Sequence, residues 1–281
     1  MSCYICGSCN AKSVILGVRD NPKLNVLECP NCGLVYLDSF DHIDDNLYKE
    51  SRMPGGLWHD SREAERDEIR RFEFCKELVR NKVVLDFGAG NCGFLKKVQS
   101  VASRVVGIDL DQEVHNRFQD TLELYHYLSE VKDIKFDIIT GFHVIEHLKD
   151  PRNKLRKMEN LLADGGQIII ETPNANDALI NLYSCRAFAK FTYWSCHLML
   201  FSEMSLGMLA HQVDLCVKNK LQIQRYPFSN HMNWIVNGKP SGYKNNWAFL
   251  DDTIVGRFYA EELARNLLCD TILYVFSKRN E

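Results

Sequence analysis

Apolar positions recur along this chain in two alternating rhythms. Lys82–Phe87 is a short apolar run ended by glycines, which predicts a strand buried on both faces. The pattern over 92–102 then turns helical. Arg104–Asp109 predicts a second strand, 111–122 a helix, Glu123–Leu128 a half-buried third strand and Phe136–Phe142 a fourth. Asp150 caps a helix with Pro151 in its first turn, running to Ala163 and stopped by Gly165-Gly166. Gln167–Thr172 is the fifth strand, Ser202 caps another helix, Leu221–Tyr226 is a sixth strand and Thr271–Phe276 a last one. This βαβα order predicts a doubly wound α/β sheet of parallel strands.

Ahead of it, Asp60 or Ser61 caps a polar helix whose apolar stripe is Ile69, Phe72, Cys75, Leu78 and Val79. Residues 38–60 are acidic and irregular, with Pro54-Gly55-Gly56, and read as a linker or lid. Near the start, Ser13-Val-Ile-Leu and Asn25-Val-Leu predict short strands around an Asn21-Pro22 turn. Two stretches, 174–200 and 228–267, break the rhythm where insertions in α/β sheets usually cover the crevice. The first is rich in aromatics (Tyr183, Phe188, Phe191, Tyr193, Trp194), about half of which should be core. The expected organisation is a metal ribbon over 1–40, a linker and helix over 41–80, and one large domain over 81–281.

Composition bounds the function. Of 281 residues 46% are apolar and 25% charged, and the net charge of −3 argues against a nucleic-acid partner. No stretch approaches the roughly 20 apolar residues of a membrane-spanning helix. The start, Met-Ser-Cys-Tyr-Ile-Cys, lacks the features of a signal peptide. A cytoplasmic protein is expected. Its 11 cysteines then point to a metal rather than to disulfides.

Cys3-x-x-Cys6-Gly7 and Cys29-x-x-Cys32-Gly33 repeat one pattern, with 22 residues between Cys6 and Cys29. Two such pairs suit a tetrahedral structural Zn²⁺ held by Cys3, Cys6, Cys29 and Cys32, with each glycine allowing a turn that aims amides at sulfur. Cys9 extends the first pair, but no glycine follows it. A ribbon of about 40 residues has little core, so the metal would supply much of its stability.

Asp86-Phe-Gly88-Ala89-Gly90-Asn-Cys-Gly93 closes the first strand of the large domain. The glycines match a dinucleotide fingerprint, whose turn faces an anionic pyrophosphate. An acid at the strand tip would repel that anion and suits a cofactor with a cationic end and no phosphate. S-adenosylmethionine is such a molecule. A nicotinamide enzyme is the rival reading. Asp109, ending the next strand, can accept both ribose hydroxyls of either cofactor.

His143, Glu146 and His147 follow the fourth strand at the crevice edge. H-x-x-E-H is also a zinc-protease pattern, but that needs a helix presenting both histidines, and here the pattern follows a strand directly. Methyl transfer to a hydroxyl needs an aligned acceptor and a base, and histidine suits neutral pH. His143 and His147 are the first candidates.

Asp86-x-Gly-x-Gly, Asp109, Phe136-Asp137 and Leu161-Leu-x-x-Gly-Gly166 together resemble class I S-adenosylmethionine-dependent methyltransferases over about 82–226. With the cysteine ribbon in front, the chain is similar to zinc-containing methyltransferases of bacterial deoxysugar and surface-polysaccharide pathways. The resemblance implies a Rossmann-like seven-stranded sheet. It implies cofactor contacts from Leu110, Phe142 and His143, and a Tyr48 that closes over the cofactor. It gives His197, before a Phe-Ser helix cap, the place of an active-site histidine. Glu146–His147 resembles a metal-binding pair of some O-methyltransferases. Longer relatives carry a further C-terminal domain for which this chain has no room, so oxygen rather than carbon is the expected acceptor. The reading is O-methylation of a sugar, nucleotide-linked or a polysaccharide precursor. An RNA methyltransferase is the alternative.

Overall fold

The computed structural model describes residues 2–43, 49, 62–244 and 246–279. Tyr48, the Asp60/Ser61 helix cap and most of the expected linker lie outside them. Among the described residues eleven strands are formed: β1 Lys12–Val18, β2 Asn21–Glu28, β3 Val35–Leu37, β4 Val83–Phe87, β5 Arg104–Ile108, β6 Glu123–Tyr125, β7 Phe136–Phe142, β8 Leu162–Pro173, β9 Met199–Leu200, β10 Leu215–Ile223 and β11 Thr271–Lys278. They make a four-stranded antiparallel sheet, β1-β2-β3-β9, and a seven-stranded sheet, β10-β11-β8-β7-β4-β5-β6.

The large sheet is Rossmann-like. Strands β4 to β8 pair in parallel, and β11 runs antiparallel between β8 and β10. The expected seven-stranded Rossmann-like sheet is formed, and only the pairings of β11, with β8 and with β10, are antiparallel. The strand order reverses beside β4, which makes the gap between β4 and β7 the switch point where ligands bind in such sheets. Side chains alternate across it. Val84, Val105, Ile138 and Ile169 meet helices Arg62–Val79 and Gly93–Val98 through Cys75, Val79 and Leu95. Leu85, Ile139 and Ile168 face helices Pro151–Leu161 and Glu203–His211 through Leu155, Met158 and Leu206. The small sheet adds Val26, Tyr36 and Leu37 to that second cluster, so its apolar face is continuous with the core of the large one.

Several local expectations are corrected. The β1–β2 turn falls at Arg19–Asp20, and Asn21-Pro22 belongs to β2. Pro22 lies in a bulge of β2 opposite Gly17, between the pairs Leu16↔Asn25 and Val18↔Asn21, where a missing ladder donor is tolerated. Gly165-Gly166 does not stop a helix. The helix ends at Leu161, and the glycines sit in a bulge of β8, between the pairs Phe136↔Leu162 and Ile138↔Gln167. A Cβ on Gly166 would stand 2.9 Å from the Phe136 carbonyl. Strand β10 begins earlier than expected because Lys218-Asn219-Lys220 lie exposed on it, as suits an edge strand. No helix among the described residues is long and apolar enough to cross a membrane.

Candidate active site

A cavity of about 980 Å³ opens over the C-terminal ends of β4, β5 and β7. Its first half is built by the glycine turn. Gly88 adopts φ +78°, and a Cβ there would lie 2.3 Å from Val144 Cγ2; Gly90 adopts φ +50° with open space where its Cβ would point. Only glycine takes such a backbone at little cost. Asp86 is buried at the end of β4 and lines the cavity. Burial pushes its carboxyl up to about 7, against the opposing effects of Thr140 and Arg71. Asp109 accepts Gly90 N at 2.7 Å through Oδ2 and Asp111 N at 2.9 Å through Oδ1, which ties the two strand ends together. Burial raises its pKa as well. Ala89, Leu110 and Phe142 line the same half. Gly93 begins the following helix, close against the Glu68 carboxylate.

Sequence reasoning missed two contributors here. His126 and Leu128 line the cavity; the strand expected over Glu123–Leu128 ends at Tyr125, and these two residues follow it with no motif to mark them. Asp67, Glu68 and Arg71 reach it from helix Arg62–Val79. Arg70 and Arg71 donate to Glu171 at distances from 2.6 to 3.0 Å, and Arg225 donates to Asp67. Burial would raise the pKa of Glu171, but Arg71, His143 and Arg70 hold it well below the carboxylate range.

The three histidines come together around Glu146. His143 follows β7 directly with φ +56°, an uncommon backbone for a residue bearing a side chain. Its Nδ1 lies 3.2 Å from Glu146 Oε1, and its Nε2 lies 3.3 Å from Glu171 Oε1 and 3.1 Å from Arg225 Nη1. His147 sits in a single 3-10 turn, Ile145–His147, so the H-x-x-E-H pattern occupies no α-helix. Its Nδ1 is 2.6 Å from the Cys196 carbonyl. That bond puts the proton on Nδ1 and the lone pair on Nε2. His197 arrives from the 174–200 segment, its ring centroid 5.1 Å from that of His147. Burial lowers both pKa values, that of His197 to about 3, so both rings are neutral at pH 7. Glu146, His147 and His197 offer ligand atoms within 4.8 Å of one another. Among the described residues, buried His197 Nδ1 lacks a hydrogen-bond partner, and Glu146 Oε1 has only the 3.2 Å approach of His143 Nδ1. His197, from a distant segment, is the third donor beside Glu146 and His147.

The second half of the cavity is walled by the two insertions, with Phe188, Tyr193, Trp194, Trp234 and Tyr243 beside Asp177, Asn230 and His231. Tyr193 and Trp194 are buried, whereas Tyr183 and Phe191 are 38% and 43% exposed.

The cysteine cluster lies apart from this cavity. Cys3 Sγ is 3.6 Å from Cys32 Sγ, and Cys6 Sγ is 3.4 Å from Cys29 Sγ; all four lie within 4.8 Å of one another. Thiolates about 2.3 Å from a tetrahedral ion stand about 3.8 Å apart, so the set fits a metal and is too wide for disulfides. Gly7 and Gly33 both have positive φ, and backbone amides of Ile5, Cys6, Asn31 and Cys32 face the sulfurs of Cys3 and Cys29.

A family model described as a methyltransferase domain matches residues 57–218. A ubiquinone biosynthesis O-methyltransferase of Hydrogenovibrio crunogenus is 26% identical over 153 residues, which is 50% of this chain and 61% of that protein. The chain therefore spans less than two thirds of that relative. One from Pseudomonas fluorescens is 25% identical over 170 residues, 54% of this chain and 72% of its own. Among solved structures, the plantazolicin methyltransferase BamL superposes with a TM-score of 0.53 at 15% identity, covering 82% of this chain and 92% of its own. A chain of the complex between a Haloferax volcanii methyltransferase activator and a methyltransferase gives 0.52 at 15% identity, covering 77% and 93%. At these identities the likeness concerns the fold.

Proposed function

The chain belongs to the methyltransferase-domain family, and on that footing we propose that it transfers the methyl group of S-adenosylmethionine to an oxygen of a sugar, nucleotide-linked or a polysaccharide precursor. The observation that carries the cofactor is Asp86. A buried carboxyl beside a glycine turn, pushed up to about 7 by burial, suits a cation and disfavours a pyrophosphate. Asp86 would hold the α-ammonium, Gly88 and Gly90 would let the backbone approach, Asp109 would take the ribose hydroxyls, and Leu110 and Phe142 would flank the adenosine. Bound there, the cofactor would supply a methyl carbon activated by the sulfonium.

The acceptor would lie against the aromatic wall, with Asp177 and Asn230 offered to its hydroxyls, while both ring nitrogens of His231 are engaged by Gln224 and Tyr259. His147 is the preferred base. Its Nε2 lone pair would accept the hydroxyl proton as the oxygen attacks, while the Cys196 carbonyl steadies its Nδ1–H. His143, held between Glu146, Glu171 and Arg225, would act by position and by its backbone beside the cofactor. His197 would complete the floor. A second reading of this corner is a divalent ion on Glu146, His147 and His197, favoured by their converging ligand atoms and by the buried, unpartnered His197 Nδ1; such an ion would lower the pKa of a bound hydroxyl. The cysteine cluster would hold a structural zinc.

The named relatives act in ubiquinone biosynthesis, and a second acceptor of that kind would also suit aromatic walls. Both acceptors offer oxygen. The test is methyl-labelled S-adenosylmethionine presented with nucleotide-sugars, with phenolic acceptors and with RNA. Label in a nucleotide-sugar is expected. Transfer only to a phenol or only to RNA would replace the acceptor, and NADH binding more tightly than S-adenosylmethionine would overturn the cofactor.

A further inference from the structure

The cysteine ribbon reaches the acceptor half of the cavity through its hairpin turn. Arg19 and Asp20 form the two-residue turn between β1 and β2. The Asp20 carboxylate accepts Ser195 N at 2.9 Å and Ser195 Oγ at 2.6 Å, and Arg19 N donates to the Tyr193 carbonyl at 3.2 Å. Nearby, β3 pairs with β9, immediately after His197. The turn is therefore clamped to the segment that carries Trp194 and His197.

These contacts leave one side chain over the rim. The Arg19 guanidinium carbon stands 4.9 Å from the Phe191 ring centroid and 5.0 Å from that of Trp194. The residue is exposed, yet it lines the cavity. Its guanidinium forms no ion pair or hydrogen bond among the described residues; the adjacent carboxylate, Asp20, is committed to Ser195. A guanidinium resting on aromatic faces keeps its N–H edges directed outward, in the fork that fits a phosphate.

We propose that Arg19 recognises a phosphate group carried by the acceptor, which makes the cysteine ribbon part of the acceptor site. The inference rests on the nucleotide-sugar reading, since a diphosphate-linked sugar seated on the aromatic wall would bring its phosphates to the cavity rim. Charge-assisted pairing of this kind is the strong form of hydrogen bond and is geometrically selective for the planar fork.

The test is titration calorimetry on the full chain, with and without S-adenosylhomocysteine, using UDP-glucose, inorganic pyrophosphate and methyl glucoside as probes. Arg19→Gln should weaken UDP-glucose and pyrophosphate about tenfold or more. Arg19→Lys should restore part of the loss, and methyl glucoside should respond to neither change. Zinc content and S-adenosylhomocysteine affinity, both unaltered, show that the ribbon and cofactor site remain intact. UDP-glucose binding Arg19→Gln as tightly as the unaltered chain would overturn the role of Arg19 and leave the sugar reading standing. Pyrophosphate bound through Arg19 without UDP-glucose binding would keep the phosphate site and remove the nucleotide-sugar. Failure of both probes to bind the unaltered chain would overturn both.

Discussion

Asp86 and Thr140 face each other on neighbouring parallel strands, with Thr140 Oγ1 donating to Asp86 Oδ1 at 2.6 Å. That bond lowers the carboxyl's pKa but does not offset burial, which drives it up to about 7. An unfolded aspartate titrates near ~3.9. From about pH 4 to about pH 7 the ligand-free fold thus holds a proton that the unfolded chain has lost. The stability from this proton is present at low pH and fades as pH rises through about 7. A cationic ligand favours the ionised form. S-adenosylhomocysteine, which keeps the ammonium, should bind more tightly as pH rises from 6 to 8 and release a proton near pH 6. Calorimetry in buffers of different ionisation heat measures this. A pH-independent affinity would remove Asp86 as the anchor.

The glycine turn should separate fold from binding. Gly88→Ala forces a side chain into φ +78° and against Val144, and should lower stability by about 1–3 kcal/mol. Gly90→Ala meets no protein atom within 4 Å and should cost about 1 kcal/mol or less. Its methyl group points into open space beside the turn, so it should weaken S-adenosylhomocysteine more than it lowers Tm. Thermal melts and calorimetry on the two variants check the contrast; equal effects on both measurements would contradict it.

The histidines should divide by role. His147→Ala should lower kcat about 10²–10⁴-fold with cofactor affinity retained. His143→Ala should also disturb cofactor binding, because its backbone and ring are wedged between Glu146, Glu171 and Arg225. His197→Ala should reduce turnover without that loss of affinity. If a divalent ion acts here instead, chelation should abolish turnover and added Mg²⁺ or Mn²⁺ should restore it. Near-normal kcat in His147→Ala would leave alignment alone to activate the acceptor.

The ribbon should contain about one zinc per chain, and Cys29→Ser should release it. Because β3 pairs with β9 and Leu34 packs in the same cluster as Leu206, the damage should spread from the ribbon to the segment bearing His197. Elemental analysis, with near-UV circular dichroism for Trp194 and its neighbours, tests this. A metal-free protein with an unchanged melt would reject a structural zinc.

What the sequence alone determined is local. The strand and helix rhythm of 82–173, the glycine turn after Asp86 and the doubled cysteine pattern are written in neighbouring residues. Periods of 2 and 3.6 and the φ demands of glycine act over a few positions. The same locality explains the errors. A proline at Asn21-Pro22 and a glycine pair at 165–166 look like turn and stop signals, but the bulges that accommodate them are defined by partner strands. Tertiary structure alone decided which distant groups meet. His197 joins Glu146 and His147, Arg70 and Arg71 close on Glu171 about 100 positions away, and Arg19 rests on Trp194. These pairings depend on strand order and on the paths of two insertions. They are set by how whole elements bury apolar faces against one another, which no short window of residues encodes.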